Sequence, residues 1–341
     1  MRFLLFVSLV FLLAFTIPFT SNTGKYPPEM LDGISLVAPP RPFETNPMTP
    51  IKAVGADWVA VVPYGFGRLN DPRVRYNQFG GQWWGERPDG YKKTVEIAKE
   101  NNMKVMLKPQ IYVPGSWPGD IKFDNEADWQ AWERSYEDFI LPMATAAEER
   151  SVELLCIGTE FKNSSVKREQ YWRDLIKKIR QRYSGKLTYA ANWDEYQYIK
   201  WWDALDYIGV DAYFPLVDDA LPSVSKIKTA WLPHQYAIQR VQRKYDRPVI
   251  FTEYGYLSVD YCASKNWLLE KELSDLAVNE QAQANALEAM YAVFGQTDWW
   301  RGGFLWKWFH DMPRKDGNPE KGYDPQGKVA EETIRKWYSR W

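Results

Sequence analysis

Short apolar runs alternate with stretches of helical periodicity along most of the chain after residue 25. Eight of these runs are predicted to be strands, and most are continuously apolar, as is typical of parallel strands buried on both faces. The predicted strands cover residues 33–39, 58–66, 104–113, 153–161, 186–193, 207–216, 248–256 and 302–309.

Helical patterns lie between these runs, at residues 91–101, 128–150, 164–183, 227–245, 280–294 and 331–338. Ser164 is expected to cap the third of these helices, and Gly185 follows its end. Two connections, at 47–54 and 203–205, leave room only for short elements. The repeated strand–helix alternation predicts an α/β fold with a single (β/α)8 barrel over residues 25–341.

The first 22 residues differ in kind from the rest. They hold one positive charge followed by an almost unbroken apolar run, which is typical of a secretory signal peptide. The run is also close to the length of a membrane span, so a retained signal anchor is the alternative. Either way the barrel is expected outside the cytoplasm, as a secreted, periplasmic or surface-anchored protein.

Charge and composition narrow the possible partners. A net charge of −1 over 341 residues, without a basic run, argues against nucleic acid. The two cysteines and two histidines show no zinc-binding spacing, so we expect no metal and no other cofactor. Cys156 is most simply a packed thiol, and its pairing with Cys262 stays open. The 18 Trp and 21 Tyr supply core packing and also flat faces for flat ligands.

Polar and aromatic side chains concentrate at the carboxyl ends of the predicted strands, where barrel enzymes carry their active sites. They are Lys108, Gln110, Glu160, Asn192, Asp211, Tyr213, Glu253, Trp306 and Trp308. Glu160 and Glu253 end the fourth and seventh strands, which face each other across a barrel. Two carboxylates at one barrel mouth are what hydrolysis of a glycosidic bond requires. The alternative is two unrelated glutamates in local ion pairs.

Several of these segments together resemble glycoside hydrolase family 113. The resemblance rests on CIGTEF, YAANWDEY, DYIGVDAYFPL, VIFTEYGY and GGFLWKWF in this order, with LKPQIYVPGSWPGDI and FGGQWWGE in the loops. It covers roughly residues 31–309. It implies a retaining barrel glycosidase acting on a β-1,4-linked mannan or its oligosaccharides, with Glu160 as the general acid/base and Glu253 as the nucleophile.

Roles are also expected for the residues near the two glutamates, the first of them by comparison with the family's relatives. Thr159 stands where many of them have an asparagine that contacts the sugar, and we expect Asn192 to take over that contact. Tyr213 is expected either to donate a hydrogen bond to Glu253 or simply to fill the mouth. Asp211 is expected to bind sugar hydroxyls or to pair with Lys108. Lys108 and Gln110 share a strand face, where they serve either the substrate or the fold.

Five tryptophans are candidate sugar platforms, because the C–H face of a pyranose stacks on an aromatic ring. Trp306 and Trp308 are expected to point the same way from the last strand, and Trp83, Trp84 and Trp117 lie in long loops. For each one alone, packing under its own loop is the alternative. The loop at 65–90, which carries Arg68, Arg73 and Arg75, is expected to wall one end of the cleft.

Two other functions stay open at this level. One is a related retaining glycosidase acting on another β-glycan, such as glucan or xylan. The other is a barrel that binds carbohydrate without cleaving it. The sequence does not distinguish endo from exo action.

Overall fold

A computed structural model of the protein describes residues 30–77, 81–310 and 318–340. The signal or anchor predicted at residues 1–22 lies outside these ranges and stays a prediction. Within them, no helix is long and apolar enough to cross a membrane. The strands are β1 (Leu31–Leu36), β2 (Trp58–Val61), β3 (Tyr64–Arg68), β4 (Asp71–Arg75), β5 (Lys104–Leu107), β6 (Gln110–Tyr112), β7 (Leu154–Thr159), β8 (Lys186–Asn192), β9 (Ile208–Asp211), β10 (Val249–Tyr254) and β11 (Trp300–Trp308).

Eight of these strands close a parallel barrel, in the order β1, β11, β10, β9, β8, β7, β5 and β2. Each corresponds to one of the predicted apolar runs, so the predicted (β/α)8 barrel is confirmed. The helices are α1 (Met48–Ala53), α2 (Pro88–Glu100), α3 (Glu126–Glu149), α4 (Lys162–Lys167), α5 (Glu169–Arg180), α6 (Val224–Tyr245), α7 (Asn266–Leu269), α8 (Glu280–Phe294) and α9 (Val329–Tyr338).

Two predicted strands each divide at a proline. Pro63 separates β2 from β3, and Pro109 separates β5 from β6. A proline has no N–H for the barrel ladder, so the chain leaves the barrel wall at these points. Beyond them β3 pairs in parallel with β6 and antiparallel with β4, which forms a small second sheet at the carboxyl ends of β2 and β5.

The predicted helix at 164–183 divides as well. Its backbone leaves the helical region at Arg168, between α4 and α5, where the guanidinium reaches Glu126 and Glu133. Ser164 is therefore not the predicted cap. It lies buried inside α4, and its hydroxyl accepts a hydrogen bond from the Trp172 indole at 3.1 Å.

Apolar side chains fill two layers, one inside the barrel and one between the barrel and its helices. Cys156 lies in the inner layer and Cys262 in the outer one, and both are free thiols. Much of the tryptophan surplus packs the outer layer, since six of these side chains are fully buried there: Trp132, Trp172, Trp201, Trp202, Trp231 and Trp300.

The last helix closes the seam of the barrel. From α9, the Tyr338 hydroxyl donates to the Gly33 carbonyl of β1 at 2.7 Å. The same hydroxyl lies 2.8 Å from that of Tyr254 on β10, which in turn lies 2.7 Å from the Tyr291 hydroxyl of α8. The last helix thus ties the first strand to the strand that carries Glu253.

Candidate active site

The carboxylate of Glu253 receives hydrogen bonds from three side chains on two sides of the mouth. Its Oε1 accepts from the Lys108 ammonium and, at 2.6 Å, from the Gln110 amide. Its Oε2 accepts from the Tyr213 hydroxyl at 2.9 Å, so the predicted bond between these two residues is present. Donors of this kind favour the ionised carboxylate. Although Glu253 is only 7% exposed, they replace the water that a carboxylate normally binds.

Lys108 and Asp211 form a buried pair behind Glu253. Both side chains are fully buried, and the Lys108 ammonium lies 3.6 Å from an Asp211 oxygen. Burial alone would lower the pKa of Lys108, but the Asp211 and Glu253 carboxylates raise it above the usual lysine range. Of the two roles expected for Asp211, the pairing with Lys108 is therefore present, and sugar contact by either residue stays a prediction. The strand ends turn both side chains into the barrel, where they serve the nucleophile candidate.

For Asp211, burial has a larger effect on the pKa than the opposite charge of Lys108. Burial raises its pKa well above the usual range, Lys108 opposes this, and the carboxylates of Glu253 and Glu160 add to it. One of its oxygens accepts a hydrogen bond from the Thr252 hydroxyl at 2.7 Å. Asp211, which lies beside Glu253 across β9 and β10, is thus a structural partner of Lys108.

Glu160 occupies a left-handed turn directly after β7. Its φ of 56° is unusual for a residue other than glycine and costs about 1–3 kcal/mol unless the surroundings hold it. Burial raises the pKa of Glu160 to about 8, with the negative Glu253 as the next cause. A hydrogen bond from the Trp117 indole and the charge of Lys108 act in the opposite direction. Glu160 is therefore a carboxyl that keeps its proton at neutral pH.

Trp117 reaches the mouth as a hydrogen-bond donor. Its indole N–H donates to Glu160 Oε2, which the sequence does not predict. The ring lies directly on Gly119, where an added Cβ would come within 2.3 Å of it. The Gly119 carbonyl in turn accepts from the Asn163 amide of α4 at 2.8 Å. The loop after β6 is thus fastened to the helix that follows Glu160.

The other candidate platforms fall into two groups. Trp306 is half-buried and packs on the inner core at the mouth, as Tyr64 does. Trp308 is 3% exposed in the outer layer, so its predicted orientation toward the mouth is wrong. The register of β11 against β1 skips residue 307, which breaks the alternation that placed both rings on one face. Trp83 and Trp84 are half-buried in the loop before α2.

Asn192 and Thr159 are both engaged locally. The Asn192 side-chain oxygen accepts from the Trp193 backbone N–H at 2.8 Å, and the residue lies beside Asp211 across β8 and β9. Thr159 is buried, with its hydroxyl 3.5 Å from the Pro109 carbonyl. Sugar contact by Asn192 stays a prediction.

The loop at 65–90 lies at the mouth, since the small sheet it forms stands on β2 and β5. Two of its arginines are engaged within the loop, where Arg73 and Arg75 both donate to Asp71, at 2.8 and 2.6 Å. The Val74 backbone N–H donates to the Ser135 hydroxyl of α3 at 2.8 Å. The loop is thus braced against α3, and its role as a cleft wall stays a prediction.

Sequence reasoning missed several residues around the two glutamates. Tyr64 lies near Glu253, and burial followed by that negative charge raises the pKa of its phenol. Gln82 is 5% exposed and donates to the Tyr64 carbonyl at 2.6 Å. Tyr323 packs edge-on against Tyr213. The position of Tyr64 just past Pro63, at the end of a predicted strand, was the one available signal for it.

The site joins a carboxylate that accepts hydrogen bonds from three donors to a second carboxyl with a raised pKa at the same mouth. Such a pair supplies the nucleophile and the proton donor of a glycosidic displacement. Among the described residues, no group of three or more His, Cys, Asp or Glu side chains is arranged to hold a metal ion.

Known proteins are similar to this chain in sequence and in fold. The sequence model of Glycoside Hydrolase Family 113 matches residues 44–328. A family 113 β-mannanase from Alicyclobacillus acidocaldarius, in complex with ManMIm, is 25% identical with a TM-score of 0.75. That similarity covers 91% of this chain and 97% of that one. A second structure, of a family 113 β-1,4-mannanase, is 25% identical with a TM-score of 0.76, over 92% and 100%.

A more distant structure shares the fold alone. The β-glucuronidase of Ruminococcus gnavus is 14% identical, with a TM-score of 0.59, over 92% of this chain and 50% of that one. No curated protein matches the chain.

Proposed function

This chain belongs to glycoside hydrolase family 113, and we propose that it is a retaining enzyme that cleaves β-1,4-mannosidic linkages. That it is a glycoside hydrolase with a glycan substrate follows from the family. The choice of mannan or manno-oligosaccharides draws on the two β-mannanase structures, each 25% identical to this chain.

The single observation that carries the mechanism is the contrast between the surroundings of the two glutamates. Glu253 is bonded by a cation, an amide and a phenol, all of them donors. Glu160 has a pKa raised to about 8 by burial and by Glu253. One group is thus suited to attack carbon and the other to give up a proton.

In the first step, a Glu253 oxygen forms a bond to the anomeric carbon while the bond to the glycosidic oxygen breaks. Glu160 transfers its proton to that oxygen, which leaves as an alcohol. The product is a glycosyl ester of Glu253. Once Glu253 is esterified, its negative charge is gone, and the pKa of Glu160 falls because one of the causes raising it has been removed.

In the second step, the now ionised Glu160 accepts a proton from water as the water oxygen attacks the anomeric carbon. The ester bond breaks, Glu253 returns to its ionised form, and the sugar leaves with its original configuration. Lys108 and Tyr213 stabilise the carboxylate that departs, since both donate to it in the free enzyme.

The first experiment supplies the purified protein with β-mannan, glucomannan, xylan and mixed-linkage glucan and follows product lengths over time. We expect release of manno-oligosaccharides, with the newly formed end first seen as the β-anomer by NMR. Initial α-anomer would contradict retention, and preferential cleavage of xylan or glucan would move the substrate to another β-glycan. Binding of manno-oligosaccharides without any product would replace hydrolysis by carbohydrate binding.

A further inference from the structure

Glu195 is a fully buried carboxylate that takes no direct part in the two chemical steps. It follows β8 and is 0% exposed. Its Oε1 accepts hydrogen bonds from the Ser165 hydroxyl and, at 2.7 Å, from the Tyr189 hydroxyl. Its Oε2 accepts from the Asn192 backbone N–H at 3.1 Å. A buried acid with this many fixed donors holds several chain segments at once.

One of these bonds leads directly to the proton donor. The backbone N–H of Phe161 donates to the Tyr189 hydroxyl at 2.7 Å. Because that oxygen accepts the amide hydrogen, the phenol's own hydrogen is directed at Glu195. Phe161 is the residue after Glu160, so a chain of two hydrogen bonds joins Glu195 to the turn that carries the acid.

The second bond holds the far side of the same turn. Ser165 lies in α4, which begins two residues after Glu160, and its carbonyl also accepts from the Trp201 indole at 2.9 Å. Glu160 itself is fixed by its backbone N–H, which donates to the Ala190 carbonyl at 2.8 Å. The left-handed turn at Glu160 is therefore held from both sides, and Glu195 is the acceptor common to the Tyr189 and Ser165 contacts.

We propose that Glu195 is a positioning residue for proton transfer, which holds the left-handed turn at Glu160 so that its carboxyl faces the departing oxygen. The inference rests on the proposed function, since it assigns a role within that reaction. A displacement of about 1 Å at a reacting group can lower a rate by about 10²-fold.

The charge of Glu195 also acts on the pH dependence of the acid. Burial raises the pKa of Glu195 to about 7, while its hydrogen-bond donors oppose that rise. A negative Glu195 favours the protonated form of Glu160, and neutralising it therefore lowers the pKa of Glu160.

Several other charged or polar groups face Glu160 and stay in place when Glu195 is changed. They are Trp117 and Lys108 from the loop side, Asp211 from β9 and Glu253 from β10. An ion pair also joins Asp194, in the segment after β8, to Lys162 of α4, with the two charged atoms 2.6 Å apart.

The test compares aryl β-mannobiosides with a poor phenyl and a good dinitrophenyl leaving group, because only the poor one needs a proton from Glu160. Glu195→Gln keeps the side-chain shape but loses one acceptor. We expect kcat/KM to fall by up to about 10²-fold on the phenyl substrate and little on the dinitrophenyl one. The alkaline limb of the pH profile should move to lower pH. Equal losses on both substrates would overturn the inference.

Tyr189→Phe is the second variant, since it breaks the same chain at its middle and should reproduce the dependence on leaving group. Glu153→Gln is the matched control. Glu153 also binds a backbone amide and a lysine, but at the opposite end of the barrel. It should leave both the leaving-group ratio and the pH profile unchanged. If Glu195→Gln does not fold, an unchanged leaving-group ratio in Tyr189→Phe overturns the proposal by itself.

A readout that needs no substrate separates this inference from the proposed function. The Glu160 carboxyl can be titrated by NMR in protein labelled at glutamate, and its pKa should be lower in Glu195→Gln than in the wild type. A wild-type protein that cleaves no glycan would end the proposed function. An unchanged titration of Glu160 would end the positioning role even in an active enzyme.

Discussion

Glu253 is surrounded by hydrogen-bond donors and Glu160 by other carboxylates, although both side chains belong to one barrel mouth. Around Glu253, three donors converge from the segment after β9, from the segment joining β5 to β6 and from the start of β6. Around Glu160, one indole donates, and the pKa is raised by burial and then by the Glu253 and Glu195 carboxylates. The same residue type is thus stabilised as an anion in one place and as a neutral acid in the other.

This contrast teaches that the roles of the two glutamates are set by the neighbours and not by the strands that carry them. Both residues follow buried apolar runs, and a glutamate at either position looks the same in sequence. The donors make the difference, and each donor can be removed one at a time.

The largest effect should come from removing the two carboxyls in turn. Glu253→Ala should lower kcat by about 10⁴-fold or more, as loss of a catalytic nucleophile does. Glu160→Ala should lower kcat by about 10²–10⁴-fold on the phenyl mannobioside and far less on the dinitrophenyl one.

Azide separates the two variants further. It should rescue Glu253→Ala with formation of the α-mannosyl azide and Glu160→Ala with formation of the β-mannosyl azide, as NMR of the products will show. An exchange of these two outcomes would reverse the assignment of roles, and an unimpaired Glu253→Ala enzyme would end the mechanism.

Removing the Lys108 ammonium should have the next largest effect. Lys108→Met leaves Glu253 and Asp211 buried without a counter-charge, which should cost about 3–5 kcal/mol of unfolding free energy. Loss of this hydrogen bond to the nucleophile should also lower kcat/KM. Denaturant unfolding and steady-state kinetics measure the two effects.

Tyr213→Phe is the matched control for Lys108→Met. It removes a neutral donor from the same carboxylate, and we expect roughly a 10- to 100-fold loss of kcat/KM with a smaller loss of stability. A Lys108→Met variant as stable as Tyr213→Phe would show that Glu253 is not held mainly by the charge.

The smallest effect on kcat/KM should come from Trp117→Phe. The informative result is the direction in which the pH profile moves. The indole N–H favours the ionised form of Glu160, so its loss raises the pKa of that carboxyl. Glu160 works as an acid and is active below its pKa. The alkaline limb of kcat/KM should therefore move to higher pH, opposite to the shift expected for Glu195→Gln. A downward shift would mean that Trp117 acts on substrate binding instead.

The barrel itself was predictable, because strands buried on both faces leave long apolar runs in the sequence. The divisions at Pro63 and Pro109 could also have been predicted, since a proline has no N–H to donate to the neighbouring strand of a barrel wall. The small sheet beyond them was not, because it pairs Tyr64 of β3 with Gln110 of β6, which are far apart along the chain.

In the candidate site, only the residues at the ends of predicted strands could be predicted from the sequence. Glu160 and Glu253 stand at such ends, and so does Tyr213. The donation from Trp117 comes from 43 residues away, and the contact of Ser165 with Glu195 from 30. Trp308 was misplaced because alternation assumes an unbroken register, and β11 shifts its register against β1 near that residue.

The seam closed by α9 has a consequence for anyone who shortens the protein. The region that matches the family, residues 44–328, omits both β1 and α9. Those two elements meet at the Tyr338–Gly33 hydrogen bond, and Tyr338 also touches Tyr254, the neighbour of Glu253. A recombinant fragment cut at the family limits would lack one barrel strand and the helix that fastens it. A shortened protein should therefore begin at or before residue 31 and end at or after residue 338.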